Sequence, residues 1–78
     1  MEKVTQVYPL DGYKLKMQFN TGETRIFDAQ PYLQKGVFQQ LQDEKRFRQA
    51  YVALDTVCWP GGLDIAPETL YDRSTPEQ

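Results

Sequence analysis

The stretch YKLKMQF at residues 13–19 alternates apolar and polar side chains along its whole length. Apolar residues at every second position are typical of a β-strand that buries one face. The turn-forming pair Asp11 and Gly12 precedes this stretch, and the β-rich residues 4–8 precede that pair. After a turn at residues 20–22, the chain returns as a third β-rich segment that ends at Asp28. The pattern therefore predicts a three-stranded antiparallel meander.

The middle of the chain changes from a two-residue period to a helical one. Val37 and Phe38 precede Leu41 by four and three residues, a spacing that places all three side chains on one face of an α-helix. Asp43 is a suitable cap for a second short helical segment. We therefore expect one or two short helices between residues 31 and 47.

A second β-rich segment covers residues 51–59, with a tight turn expected at Asp55 and Thr56. The sequence PGG at residues 60–62 is expected to end this hairpin. Pro67 suits the first position of a closing helical turn, because its fixed φ is helical and an N–H there would have no partner.

Together these segments predict one small α+β domain over residues 1–78, with residues 72–78 as a frayed tail. A small antiparallel meander and a second β hairpin are expected to pack against one or two short helices. The chain is short, but its four Phe, five Tyr and one Trp allow dense aromatic packing, and self-association is the other route to stability. We expect one core that contains Phe19, Phe38, Leu41 and Trp59.

The composition excludes several kinds of chemistry. With no histidine and one cysteine, the chain lacks an internal disulfide, the soft ligands of a structural zinc site and the usual general base at neutral pH. We expect Cys58 to be a buried, inert thiol rather than a nucleophile. Asp28, Asp64 and Glu68 could together hold a hard cation, but roles in turns and caps are favoured. The sequence predicts no enzyme activity, no metal and no cofactor.

Charge and hydropathy bear on location and partners. No apolar run is long enough to span a bilayer, and the first residues lack the apolar core of a signal peptide, so a cytoplasmic location is expected. The net charge of −2 argues mildly against a dedicated nucleic-acid-binding protein. Lys14, Lys16 and Arg25 could nevertheless form a basic sheet face that contacts a phosphate backbone, although a solvated face is favoured.

The sequence WPGGLD at residues 59–64 is the most unusual part of the chain. A tryptophan at the end of a strand, followed by a rigid proline and two glycines, indicates a tight chain reversal. Trp59 either seals the small core or anchors a protein partner, since tryptophan and tyrosine dominate interface energetics. The candidate partner-binding residues are Trp59, Pro60, Leu63, Asp64, Leu70 and Tyr71.

These motifs also carry a family resemblance. Its three features are a first hairpin that ends in Phe19, then Gly22, and then WPGGLDIAPETLY at residues 59–71. In these features the chain resembles the bacterial "domain of unknown function" family numbered 2442. The resemblance covers residues 3–71, and the C-terminal segment is its specific part. It implies a small α+β fold without established activity or catalytic residues. Some members are encoded beside another short protein, in an arrangement that looks like a toxin–antitoxin module.

The leading functional hypothesis is a non-catalytic protein-binding module, either an adaptor or an antitoxin-like partner of another small protein. Self-association is its simplest form. The alternative is an accessory protein that contacts nucleic acid through the basic face of Lys14, Lys16 and Arg25. A metal-dependent site on the three carboxylates is a third hypothesis. No small-molecule substrate and no membrane contact are evident from the sequence.

Overall fold

The computed structural model describes residues 1–77 and contains two antiparallel sheets. The first sheet has four strands, in the spatial order β1 (Val4–Leu10), β2 (Lys14–Phe19), β3 (Thr24–Asp28) and β7 (Thr75–Pro76). The second sheet has three strands, in the order β4 (Tyr51–Ala53), β5 (Thr56–Trp59) and β6 (Leu63–Ile65). The predicted meander of β1, β2 and β3 and the predicted hairpin of β4 and β5 are both present.

Within residues 1–77, four short helical segments accompany the sheets: two 3-10 helices at Gln30–Tyr32 and Gly36–Gln42, and the α-helices α1 (Glu44–Phe47) and α2 (Pro67–Asp72). Asp43 caps α1 by accepting a hydrogen bond from the Lys45 backbone N–H at 3.1 Å, as its position predicts. Pro67 occupies the first turn of α2, also as predicted. No helix in this part of the chain is long and apolar enough to cross a membrane. The α+β fold class is confirmed.

The alternation in β2 holds in the structure. Leu15, Met17 and Phe19 are at most 3% exposed, while the residues between them point away from the core. Pro9 lies inside β1, where it is tolerated because β1 is the edge strand of its sheet. The two-residue period therefore predicted the buried face of β2 correctly.

The helical block differs from the prediction in its helix type. A 3-10 helix has three residues per turn, so side chains three apart share a face and side chains four apart do not. Accordingly, Leu41 is buried and Phe38 packs beside it as a partly buried residue, whereas Val37 is 63% exposed. The prediction that Val37 shares the core face is wrong, and Phe38 lies at the margin of the core.

The second hairpin continues further than the sequence indicates. Its turn consists of Leu54 and Asp55, one residue earlier than predicted. Residues 60–62 do not end the β structure but turn the chain into β6. Gly61 and Gly62 have φ values of 98° and 85°, which other residues adopt only with strain, so the two glycines permit this reversal.

The predicted tail also forms structure. Thr75 and Pro76 pair with β3 as strand β7, so residues 72–77 are not a frayed tail, while residue 78 lies outside the described part of the chain. The backbone N–H of Glu77 also donates to the Thr24 carbonyl at 2.9 Å. The segment is polar because it forms the exposed edge of a sheet, and a polar edge strand resembles a loop in sequence.

One hydrophobic cluster joins the two sheets and the helical segments. Three of the four predicted core residues, Phe19, Leu41 and Trp59, are at most 3% exposed. They share the cluster with side chains from both sheets, α1 and α2, including Leu15, Met17, Phe27, Phe47, Val57 and Leu70.

Candidate functional site

Trp59, the most prominent residue of the unusual WPGG segment, belongs to the core. It is 1% exposed, and its ring centroid lies 6.0 Å from that of Phe47. Its Nε1–H donates to the Phe47 backbone carbonyl at 2.9 Å, which gives the buried indole the acceptor it requires. Of the two roles considered for Trp59, the structure supports sealing the core.

The other candidate partner-binding residues do not form one exposed surface. Leu63 and Leu70 are buried, Pro60 and Asp64 are exposed, and Tyr71 is half-buried. Leu70, a candidate contact residue, is 0% exposed and is therefore not available to a partner. The reason is that α2 packs its apolar side against the shared cluster before β7 returns to the first sheet.

Tyr71 is held in a cluster of polar contacts. The Arg25 guanidinium lies 4.4 Å from the centroid of the Tyr71 ring, and it donates to the Ser74 Oγ and carbonyl oxygen, each at 2.7 Å. The Tyr71 hydroxyl donates to Glu23 Oε1 at 2.6 Å. This hydrogen bond lowers the pKa of Glu23 and raises the pKa of Tyr71. The cluster ties α2 and the tail to β3.

The predicted basic sheet face does not form. Arg25 is opposite the core residue Met17 in the register of β2 and β3, and opposed residues share a sheet face. Arg25 therefore lies on the inner face, whereas Lys14 and Lys16 alternate with the buried residues of β2 and lie on the outer face. Lys16 is also paired with Glu77 at 3.2 Å. Lys14 and Lys16 are therefore left on the outer face without Arg25, so the three residues do not form the single basic surface that we considered for phosphate contact.

The three carboxylates are not brought together either. Among residues 1–77, no three His, Cys, Asp or Glu side chains lie close enough to hold a metal ion. Asp28 accepts a hydrogen bond from the Gln30 backbone N–H at 3.0 Å, which is the turn role that we favoured for it. Glu68 lies in the first turn of α2, and Asp64 lies on β6.

Cys58 is buried, as predicted, but it faces away from the main core. It is 7% exposed and alternates along β5 with the core residues Val57 and Trp59. Its Sγ lies 3.6 Å from the Ala53 carbonyl oxygen. Burial, and then the negative charge of Asp64, raise the pKa of the thiol above its ordinary value.

We expect Cys58 to react slowly with thiol reagents in the folded protein, because the thiol is both buried and protonated at neutral pH. The measurement is the rate of labelling with a chromogenic disulfide at pH 7, with and without denaturant. Labelling in denaturant should be fast and stoichiometric. Equally fast labelling of the native protein would contradict the assignment of an inert thiol.

Sequence reasoning missed Leu54, at the tip of the β4–β5 hairpin. Ala53 and Thr56 are paired, so Leu54 and Asp55 form a two-residue turn, with φ values of 52° and 64°. Positive φ at both positions defines a type I′ turn, which normally contains asparagine or glycine. Leu54 is nevertheless 88% exposed. One feature of the sequence could have indicated this site: a leucine stands directly before Asp55, the residue of this segment whose type is common in turns.

The two sheets, their shared aromatic core and the short helical segments define a small α+β protein. The chain belongs to the family described as "Protein of unknown function (DUF2442)", whose model matches residues 4–76. The match confirms the resemblance carried by the WPGG segment and extends it to the tail. Searches among curated proteins and among solved structures each gave no significant match.

Proposed function

We propose that the protein is a non-catalytic, cytoplasmic protein-binding module that presents its β4–β5 hairpin to another protein. One observation carries the proposal: Leu54 is 88% exposed in a left-handed backbone conformation. The partner would supply an apolar pocket for this side chain. An adaptor, or the antitoxin-like member of a pair of small proteins, is the form that the family resemblance suggests.

Leu54 carries a conformational cost that burial of its side chain does not offset. The left-handed conformation costs a residue with a Cβ about 1–2 kcal/mol. A leucine side chain that stays in water also gains nothing from the hydrophobic effect when the chain folds. Stability alone would favour asparagine or glycine at this position. A residue that costs stability and lies fully accessible is best explained by a contact made outside the chain.

The other two non-glycine residues with positive φ within residues 1–77 have explanations inside the fold. Tyr13 packs its ring edge-on against Phe47, with the ring centroids 5.4 Å apart. Asp55 is a residue type that tolerates this conformation, and its carbonyl accepts the Val4 backbone N–H at 2.9 Å. Leu54 has no comparable compensation, since most of its side chain is in solvent.

The surroundings of Leu54 suit a protein contact. Tyr51, on the same hairpin, is 47% exposed and offers an apolar ring with a polar hydroxyl, a combination that is common in interfaces. The hydrogen bond between Val4 and Asp55 places the start of β1 beside the hairpin tip. Leu54 can therefore act as an anchor at the hairpin tip, with Tyr51 on the same hairpin and the start of β1 beside the tip.

Replacing Leu54 by asparagine should stabilise the isolated protein by about 1 kcal/mol, because asparagine tolerates positive φ. For a domain of this size, that gain corresponds to a rise in Tm of roughly 4–8 °C. Thermal unfolding followed by circular dichroism measures it. Val37→Asn is the matched control, since Val37 is 63% exposed without a left-handed backbone, and its Tm should change little. A lower Tm for L54N would contradict the argument from strain.

The same two variants test the function. The untagged wild-type chain, L54N and V37N are each purified from the native host, and co-purifying molecules are identified. The proposal expects a stoichiometric small protein with the wild type and V37N, and its loss from L54N. Sedimentation of the purified chains would show a concentration-dependent dimer lost in L54N if the partner is a second copy. A partner held equally by all three chains would place the contact elsewhere.

The same purification also tests the alternative function, in which the protein contacts nucleic acid. Co-purified nucleic acid that is lost from a Lys14→Gln, Lys16→Gln double variant, and retained by L54N, would favour contact through the outer sheet face. Arg25 does not support that alternative, because its guanidinium contacts Ser74 and Tyr71. We therefore propose the protein-binding role in preference.

A further inference from the structure

A cleft of about 650 Å³ lies between the first 3-10 helix and α2, and none of its lining residues belongs to the β4–β5 hairpin. Its volume is within the range of small-molecule sites, which is roughly 300–1,000 Å³. The lining residues come from the end of β3, the chain through the first 3-10 helix, and α2 with the residue after it: Asp28, Pro31, Tyr32, Lys35, Thr69 and Arg73.

The cleft is positively charged in a protein whose net charge is −2. Lys35 and Arg73 are both exposed, and neither forms an ion pair with any of residues 1–77. Asp28 is the one carboxylate in the lining, and one of its oxygens already accepts the Gln30 backbone N–H. The cleft is therefore lined by two cationic side chains and by one carboxylate, Asp28, which already accepts a backbone hydrogen bond.

Tyr32 gives the cleft an aromatic wall. Its ring packs against the fully buried Phe27, with the two ring centroids 5.2 Å apart. The Nζ of Lys35 lies 5.9 Å from the same ring centroid, so a cation and an aromatic face are next to each other. Thr69 adds a half-buried hydroxyl on the opposite side, from α2.

We propose that this cleft binds a small molecule that carries a phosphate group on a planar ring. Arg73 can donate two parallel hydrogen bonds to a phosphate, Lys35 supplies a second positive charge, and the Thr69 hydroxyl supplies a neutral donor. The Tyr32 ring provides the surface on which a planar body stacks. This site is separate from the hairpin and does not depend on the protein-binding role.

Two-dimensional ¹H–¹⁵N NMR titration of the full chain tests the proposal, with inorganic phosphate, adenosine monophosphate and adenosine as probes. Sodium chloride at matched ionic strength corrects for general salt effects. Saturable shifts confined to residues 28–35 and 69–73 are expected with phosphate, with tighter binding of the monophosphate because its base can stack on Tyr32. Adenosine, which lacks the phosphate, should bind more weakly than the monophosphate.

Two variants at exposed positions of the cleft and one control variant make the test specific. Arg73→Gln and Lys35→Gln should each weaken monophosphate binding about tenfold or more, since each removes a charged donor. Lys45→Gln removes an exposed lysine on α1, outside the cleft, and should leave binding unchanged. Shifts that grow linearly and match those of sodium chloride would overturn the proposal. Unchanged affinity in R73Q and K35Q, or equal binding of adenosine, would also overturn it.

Discussion

Trp59→Ala should leave the protein largely unfolded at 37 °C. Removing a fully buried tryptophan costs about 3–5 kcal/mol, and a domain of this length has a total stability of only roughly 4–12 kcal/mol. The substitution also leaves the Phe47 carbonyl without the indole N–H that it accepts at 2.9 Å. Urea unfolding at 25 °C, followed by circular dichroism, measures the loss.

Two further variants separate the contributions to this loss. Trp59→Phe keeps much of the ring volume but removes the N–H donor, so it should cost less than the alanine variant. Tyr8→Ala removes an aromatic ring that is 46% exposed, and its stability should stay near that of the wild type. If W59A were as stable as Y8A, Trp59 would not seal the core, and the role of an external anchor would become the better explanation.

The sequence predicted the elements whose burial pattern is strictly periodic. In β2 the apolar residues are buried and the polar residues between them are partly or fully exposed, because a strand has the same period wherever it lies. The helical block was less predictable, since α- and 3-10 helices place Val37 differently relative to Leu41. The apolar spacing of Val37, Phe38 and Leu41 does not by itself decide between these two helix types.

The candidate sites were predictable only in part, and Arg25 shows why. Arg25 stands two residues before Phe27, so the strand period already placed both on one face. A buried-face arginine is improbable from composition alone. It is accommodated because Tyr71 and Ser74, almost fifty residues later in the chain, cover its guanidinium. Such long-range compensation, and the exposed turn position of Leu54, become visible only in three dimensions.

Deleting residues 70–78 should abolish cooperative folding. The deletion removes Leu70, which is 0% exposed, and the Tyr71 ring, whose centroid lies 5.2 Å from that of Phe19 in an edge-on contact. It also removes β7 and leaves the Arg25 guanidinium, whose side chain is 12% exposed, without Ser74 or the Tyr71 ring. Loss of a buried leucine alone costs about 2–5 kcal/mol. The combined loss approaches or exceeds the whole stability of so small a domain.

Thermal unfolding of the truncated chain, followed by near-ultraviolet circular dichroism, measures this effect. Deletion of residues 77–78 is the matched control. It removes the exposed Lys16–Glu77 ion pair and one backbone hydrogen bond but keeps Leu70, Tyr71 and Ser74, so its Tm should fall only slightly. A cooperative transition near the wild-type Tm after deletion of 70–78 would contradict the core assignment of the terminus. If the folded chain without residues 70–78 no longer bound its partner, the binding surface would lie at the C-terminus. The exposure of Leu54 at the hairpin tip would then need another explanation.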